Sequence, residues 1–178
     1  MLYEINEDIL KEFHLETEDI KEPVNIMKIE EMLRFFKLCA ERIIQKSLLY
    51  EKTEDMDTKM DCIDIVTAKL NDFTQVFKDL VLFMRKEEGI VRNGGSLRYC
   101  ITSFDTYDFR QTEAEKLFLR ELLIRNEITH DYFNRDIHQQ KLIWIMRHCS
   151  EGAIDVYNNI YDYCTERKLL NKYANKYS

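Results

Sequence analysis

The sequence predicts an all-α protein, an up-and-down bundle of four main helices plus a short one. Three observations carry this. Breakers are scarce, with one proline and four glycines in 178 residues, so long helices meet few interruptions. Apolar residues recur at three- and four-residue steps through four long stretches, and no stretch alternates with period two for long enough to make a strand.

The first helix is expected over 26–51, with Asn25 as its cap and a stripe of Ile26, Ile29, Leu33, Phe36, Ala40 and Ile43. A second follows at about 58–86 on Ile63, Val66, Leu70, Phe73, Phe77, Leu80 and Met84, and ends at Gly89 and the Asn93-Gly94-Gly95 turn. A short helix is expected around Leu97–Phe104. Thr112 with Glu115 forms a capping-box pattern that opens the third long helix. Ala114, Leu117, Glu121, Ile124 and Ile128 share one side of it, with Phe118 and Leu122 alongside. Asp136 with Gln139 looks like another such start. From there Leu142, Ile145, Cys149, Ala153, Val156, Ile160 and Tyr163 read as one helix towards residue 167. The polar and aromatic residues after it are expected to fray.

Charge divides the chain unevenly. The overall charge is −7, yet residues 1–24 alone hold eight acids against Lys11 and Lys21. The reading is therefore an acidic N-terminal segment, 1–24, and a nearly neutral helical domain, 25–178. A broad electrostatic footprint for DNA is not expected, while the nearly neutral body leaves room for a local basic site. No apolar run approaches the roughly 20 residues of a membrane span, and the opening MLYEINEDILKEF is acidic, unlike a signal peptide. The five cysteines include no C-x-x-C pair, and four of them fall on or beside apolar stripes. That pattern suits a reducing cytoplasm, where cysteine acts as a small hydrophobe.

The densest chemistry lies in RNEITHDYF, residues 125–133. General acid–base cleavage of a phosphodiester needs one group to take a proton and another to give one, and histidine can do either near neutrality. An arginine fork suits the charge that builds on phosphoryl oxygens. On a regular helix Arg125 and His130 lie about 140° apart, so they converge only if the last turn unwinds or a second subunit completes the site. A two-fold dimer would bring two histidines and two arginines to one cleft.

Arg125, Asn126, His130 and Tyr132, at the junction of two helices in a small α-bundle, resemble the R-x4-H-x-Y signature of the HEPN superfamily. The nearest branch is the HepT-like proteins, toxins paired with a minimal nucleotidyltransferase antitoxin. The resemblance spans roughly residues 26–167, with only the signature specific; Asp131 departs from the small residue common at that place. It implies a homodimer with a composite cleft that cleaves RNA, with tRNA the candidate substrate, without metal or cofactor. Arg125 and His130 would form the catalytic core, with Asn126 orienting them or contacting phosphate. Tyr132 would accept AMP from the partner transferase, which silences the toxin. Related bundles serve instead as non-catalytic substrate-binding subunits of nucleotidyltransferases.

Each residue alone also has an ordinary explanation. Arg125 stands four positions after Glu121, the spacing of a surface ion pair. His130 near a helix C-terminus is favoured by the macrodipole; Asn126 could be an exposed helix residue, and Tyr132 a core aromatic. On that view the chain is a plain helical interaction protein. Arg120, Arg135, Lys141 and Arg147 flank the motif as candidate contacts to an RNA backbone. His138 and His148, about 80° apart on one helix with no acid spaced to join them, do not suggest a metal site. Asn93-Gly94-Gly95-Ser96 lacks the spacing and lysine of a phosphate loop. The tyrosines at 157, 161, 163, 173 and 177 are expected to pack rather than stack bases.

Overall fold

The computed structural model describes residues 17–92, 94–128, 135–167 and 169, with side chains from residue 28 onward apart from Arg135. Among these residues there are six helices and no strand: α1 Thr17–Lys52, α2 Met56–Glu87, α3 Leu97–Asp105, α4 Glu113–Ile128, α5 Arg135–His148 and α6 Gly152–Glu166. The all-α bundle is thus the fold of the protein. No described helix is long and apolar enough to cross a membrane.

The hairpin of α1 and α2 is the frame. Both helices bury every described residue of their expected stripes, from Ile29 to Ile43 and from Ile63 to Met84. Asp55 caps α2, its Oδ2 accepting from the Thr58 N–H at 2.8 Å, which starts the helix two residues earlier than its apolar pattern does. At the other end Gly89 takes φ +83°, and Ile90 N–H reaches back to the Arg85 carbonyl at 2.9 Å. A left-handed glycine just past the last turn is the expected helix stop. Ser96 then caps α3 by accepting from Tyr99 N–H at 3.1 Å.

Rings tie the layers together. Phe36 of α1 lies 4.4 Å from Phe73 of α2, and Phe73 meets Phe118 of α4 edge to face at 5.2 Å. Phe36 also approaches Tyr157 of α6 at 6.1 Å. Four helices therefore share one aromatic contact line, an arrangement worth more than its buried area alone. All five cysteines are buried and free, and burial pushes the Cys149 and Cys164 thiols up to about 12, so they pack as hydrophobes. Tyr157 and Tyr163 join the core, whereas Tyr161 stays exposed.

Three expectations need correction. The first helix begins at Thr17 rather than 26, and Asn25 lies inside it. Pro23 also lies inside α1, where its ring forgoes one i→i−4 bond and crowds the carbonyl four residues back. Residues 17–24 of the acidic segment are accordingly continuous with α1. The long helix expected over 136–167 is two, α5 and α6, joined through Cys149, Ser150 and Glu151. There the backbone tightens to i→i+3 bonds, Gly152 N–H to the Cys149 carbonyl at 3.0 Å and Ala153 N–H to the Ser150 carbonyl at 3.2 Å. The stripe hides this break because its residues stay buried on both sides of it. Finally, the inward face of α4 is Glu115, Phe118, Leu119, Glu121, Leu122 and Arg125, while Leu117 and Ile124 are only half-buried.

The start of α6 is closely packed. A Cβ at Gly152 would fall 2.3 Å from the Ala114 carbonyl oxygen and 2.6 Å from Phe118 Cβ, so α6 begins pressed against the first turns of α4. Gly152→Ala should therefore destabilise the protein by about 1–3 kcal/mol, the usual range for overpacking. Helix propensity alone predicts the opposite sign. Urea unfolding decides it, and a variant as stable as the parent would remove the close-packing account.

Candidate functional site

The geometry of α4 explains where its charges go. Phe118, Leu122 and Arg125 are spaced i, i+4, i+7 and so share a face. Phe118 is locked into the aromatic line, fully buried, and that register turns Arg125 inward as well, to 8% exposure. Its Nη1 donates to Asn71 Oδ1 on α2 at 3.0 Å. Among the described residues no carboxylate pairs with it, and burial lowers its pKa from the ordinary value. An arginine still keeps its charge in a protein. The surface ion pair with Glu121 suggested by the four-residue spacing does not form.

Glu121 has other partners. It is 2% exposed, and its carboxylate takes Arg120 Nη2 at 3.2 Å and, in closer contact, Lys141 Nζ from α5. Lys141 also lies over the Trp144 ring at 5.2 Å. Farther along α5, Arg147 Nε pairs with Glu51 Oε1 of α1 at 2.6 Å on the surface. Three of the four cations singled out as RNA contacts, Arg120, Lys141 and Arg147, are thus engaged with carboxylates of the same chain. The side chain of the fourth, Arg135, lies outside the described residues, as do His130 and Tyr132. Asn126 is described and half-buried beside Arg125.

Two participants near the motif were not legible in the sequence. Asn71 stands 54 positions from Arg125 and carries no motif. Arg98 of α3 pairs with Glu127 of α4, next to Asn126, and both side chains are at least half exposed. No local spacing announces either contact, since each is made by separate helices brought together in the bundle.

At the opposite end of α4 the capping box forms, and it is more than a cap. Thr112 Oγ1 accepts from Glu115 N–H at 3.1 Å and donates to Asp155 Oδ2 at 2.6 Å. The Glu115 carboxylate is fully buried and accepts from Asn159 Nδ2 at 2.8 and 2.9 Å. Burial pushes its pKa up, opposed by hydrogen bonds from Asn159 and the Thr112 backbone and reinforced by Asp155 and Asp105. This cluster fastens α4 to α6. No group of His, Cys, Asp or Glu among the described residues is arranged to hold a metal ion. His148 is exposed and lies beside the Trp144 ring at 4.7 Å.

No family model, curated protein or solved structure matches this chain.

The raised Glu115 pKa has a definite sign in the stability of the fold. In the unfolded chain the group loses its proton near 4.5, while the folded protein holds it to higher pH, so folding stability falls as pH rises between those two values. Below that window both states are protonated and nothing is lost. Glu115→Gln removes the charged form, so its melting temperature should gain on the parent as pH rises through the window and level off above it. A difference that stays flat with pH, or shrinks, would show that Glu115 is not titrating against burial.

Proposed function

We propose that this protein binds and cleaves RNA phosphodiesters at a site centred on Arg125, as a ribonuclease toxin of HEPN type working as a homodimer. The observation that carries the reading is a nearly buried arginine whose described partner is a neutral amide rather than a carboxylate. A desolvated cation without a counter-ion attracts a fixed anion strongly, because the low local dielectric weakens screening. The motif residues Asn126 and His130 follow Arg125 in sequence, and phosphodiester chemistry uses those residue types.

In the proposed reaction the ribose 2′-oxygen bonds to phosphorus and the bond from phosphorus to the 5′-oxygen breaks. His130 takes the 2′-hydroxyl proton, and a second acid, the same residue of a second copy, gives a proton to the departing 5′-oxygen. Arg125 offsets the charge on the non-bridging oxygens. The products are a 2′,3′-cyclic phosphate and a 5′-hydroxyl. Tyr132 would be the AMP acceptor through which a minimal nucleotidyltransferase silences the activity.

One observation favours a second reading, an accessory or substrate-binding subunit of a nucleotidyltransferase. Arg120, Lys141 and Arg147 are each ion-paired within the chain, so an RNA strand would have to displace carboxylates to use them. Cleavage of a mixed tRNA pool in EDTA separates the two. The ribonuclease reading expects cyclic-phosphate ends from the parent protein and a loss of roughly a hundredfold or more in His130→Ala and Arg125→Ala, the scale of removing a general acid–base group or a charge-stabilising donor. Inert parent protein carrying unmodified Tyr132 by mass spectrometry, together with a stable complex with a transferase, would transfer the assignment to the accessory subunit.

A further inference from the structure

Arg125 and Asn71 meet where α2 and α4 face each other, and the chemistry of that contact is unusual for a buried cation. A buried arginine is ordinarily neutralised, since an ion left unpaired in a low-dielectric interior is expensive. Here the described acceptor is the Asn71 Oδ1 at 3.0 Å. An amide oxygen and a carboxylate oxygen are nearly the same size and aim a guanidinium equally well. They differ in charge. The carboxylate would orient Arg125 and cancel it, whereas the amide orients it and leaves a full positive charge.

The placement supports a receiving site rather than a sealed core contact. Asn71 is itself exposed on α2 while Arg125 is 8% exposed on α4, so the pair sits at the rim of the bundle. The Asn71 contact involves Nη1 alone, and a guanidinium carries five N–H donors in a planar fork that matches two phosphate oxygens. Described acids close to the pair in sequence are engaged with other cations: Asp72 with Lys69 at 3.0 Å, Glu121 with Arg120 and Lys141, and Glu127 with Arg98.

We infer that Asn71 is a positioning residue which aims the Arg125 fork while leaving its charge for one phosphate group of the ligand. The choice of a nucleic-acid phosphodiester as that ligand rests on the proposed function; the role of Asn71 rests on the contact itself.

The discriminating variant is Asn71→Asp, which keeps the shape and supplies the missing negative charge. Thermal unfolding of the full chain is followed with and without inorganic phosphate, in the parent, N71D, N71A and R125Q, alongside affinity for a short RNA oligonucleotide. The expected result is a phosphate-induced rise in melting temperature for the parent that vanishes in both N71D and R125Q. N71D without phosphate should melt no lower than the parent, since it gains an ion pair with Arg125. Its RNA affinity should fall by about tenfold to a hundredfold, the scale of one lost charge-assisted contact. N71A, which keeps the charge but loses the aim, should retain part of the phosphate response.

A phosphate response in N71D equal to that of the parent would overturn the inference. So would a parent protein with no response dependent on Arg125. An Arg125- and Asn71-dependent response in a protein that leaves RNA uncut would sustain the inference and remove only the ribonuclease reading.

Discussion

The inward register of α4 is the constraint on which the rest of the structure depends. Phe118 is fixed between Phe73 and the start of α6, and nothing on that face can turn without breaking the aromatic contacts shared by four helices. Glu115, Glu121 and Arg125 are then carried into the interior by helical geometry, whatever their own preference for water. Each has to be satisfied there, because a buried ionic group without partners is among the larger penalties a fold can carry. Much of the polar architecture follows from meeting those three demands.

The three are met in different ways. Glu115 is satisfied by an amide, Asn159, and by the cap at Thr112, with burial holding its carboxyl above the usual range. Glu121 is met by two cations, and the closer one belongs to α5, so the pair fastens the helices on either side of residues 129–134. Arg125 receives only a neutral acceptor among the described residues. The first two arrangements bind helices together and give each acid a described partner that offsets its burial. The third leaves a charge uncancelled, and that difference separates a structural contact from a candidate site.

The flanking cations read differently once their partners are known. On a helical wheel, Arg120, Lys141 and Arg147 are three basic residues near the motif. In the bundle, Arg120 and Lys141 are spent on one buried acid, and Arg147 answers Glu51 across α1. The Arg147 pair is exposed and adds little to stability, but it does neutralise that part of the surface. Of the described cations flanking the motif, Arg125 is the one that meets no described carboxylate. Such a distribution suits recognition of a single phosphate better than a long electrostatic track.

Much was legible in the sequence alone. The helical class, both stripes of the α1–α2 hairpin, the glycine stop at 89, the short helix after Ser96 and the capping box at Thr112 all follow from periodicity and local hydrogen-bonding chemistry, which act within a turn or two of the chain. The cluster at 125–132 stood out for the same reason: it is a local concentration of residue types. Tertiary structure alone decided that α4 turns Arg125 inward, that the stripe after Asp136 bends at residues 149–151, and that Asn71 meets Arg125 while Glu121 does not. Periodicity assigns a face to apolar residues and leaves charged ones outside by default. Whether a charge is buried, and what receives it, depends on helices distant in sequence and on the free energy of taking that charge out of water.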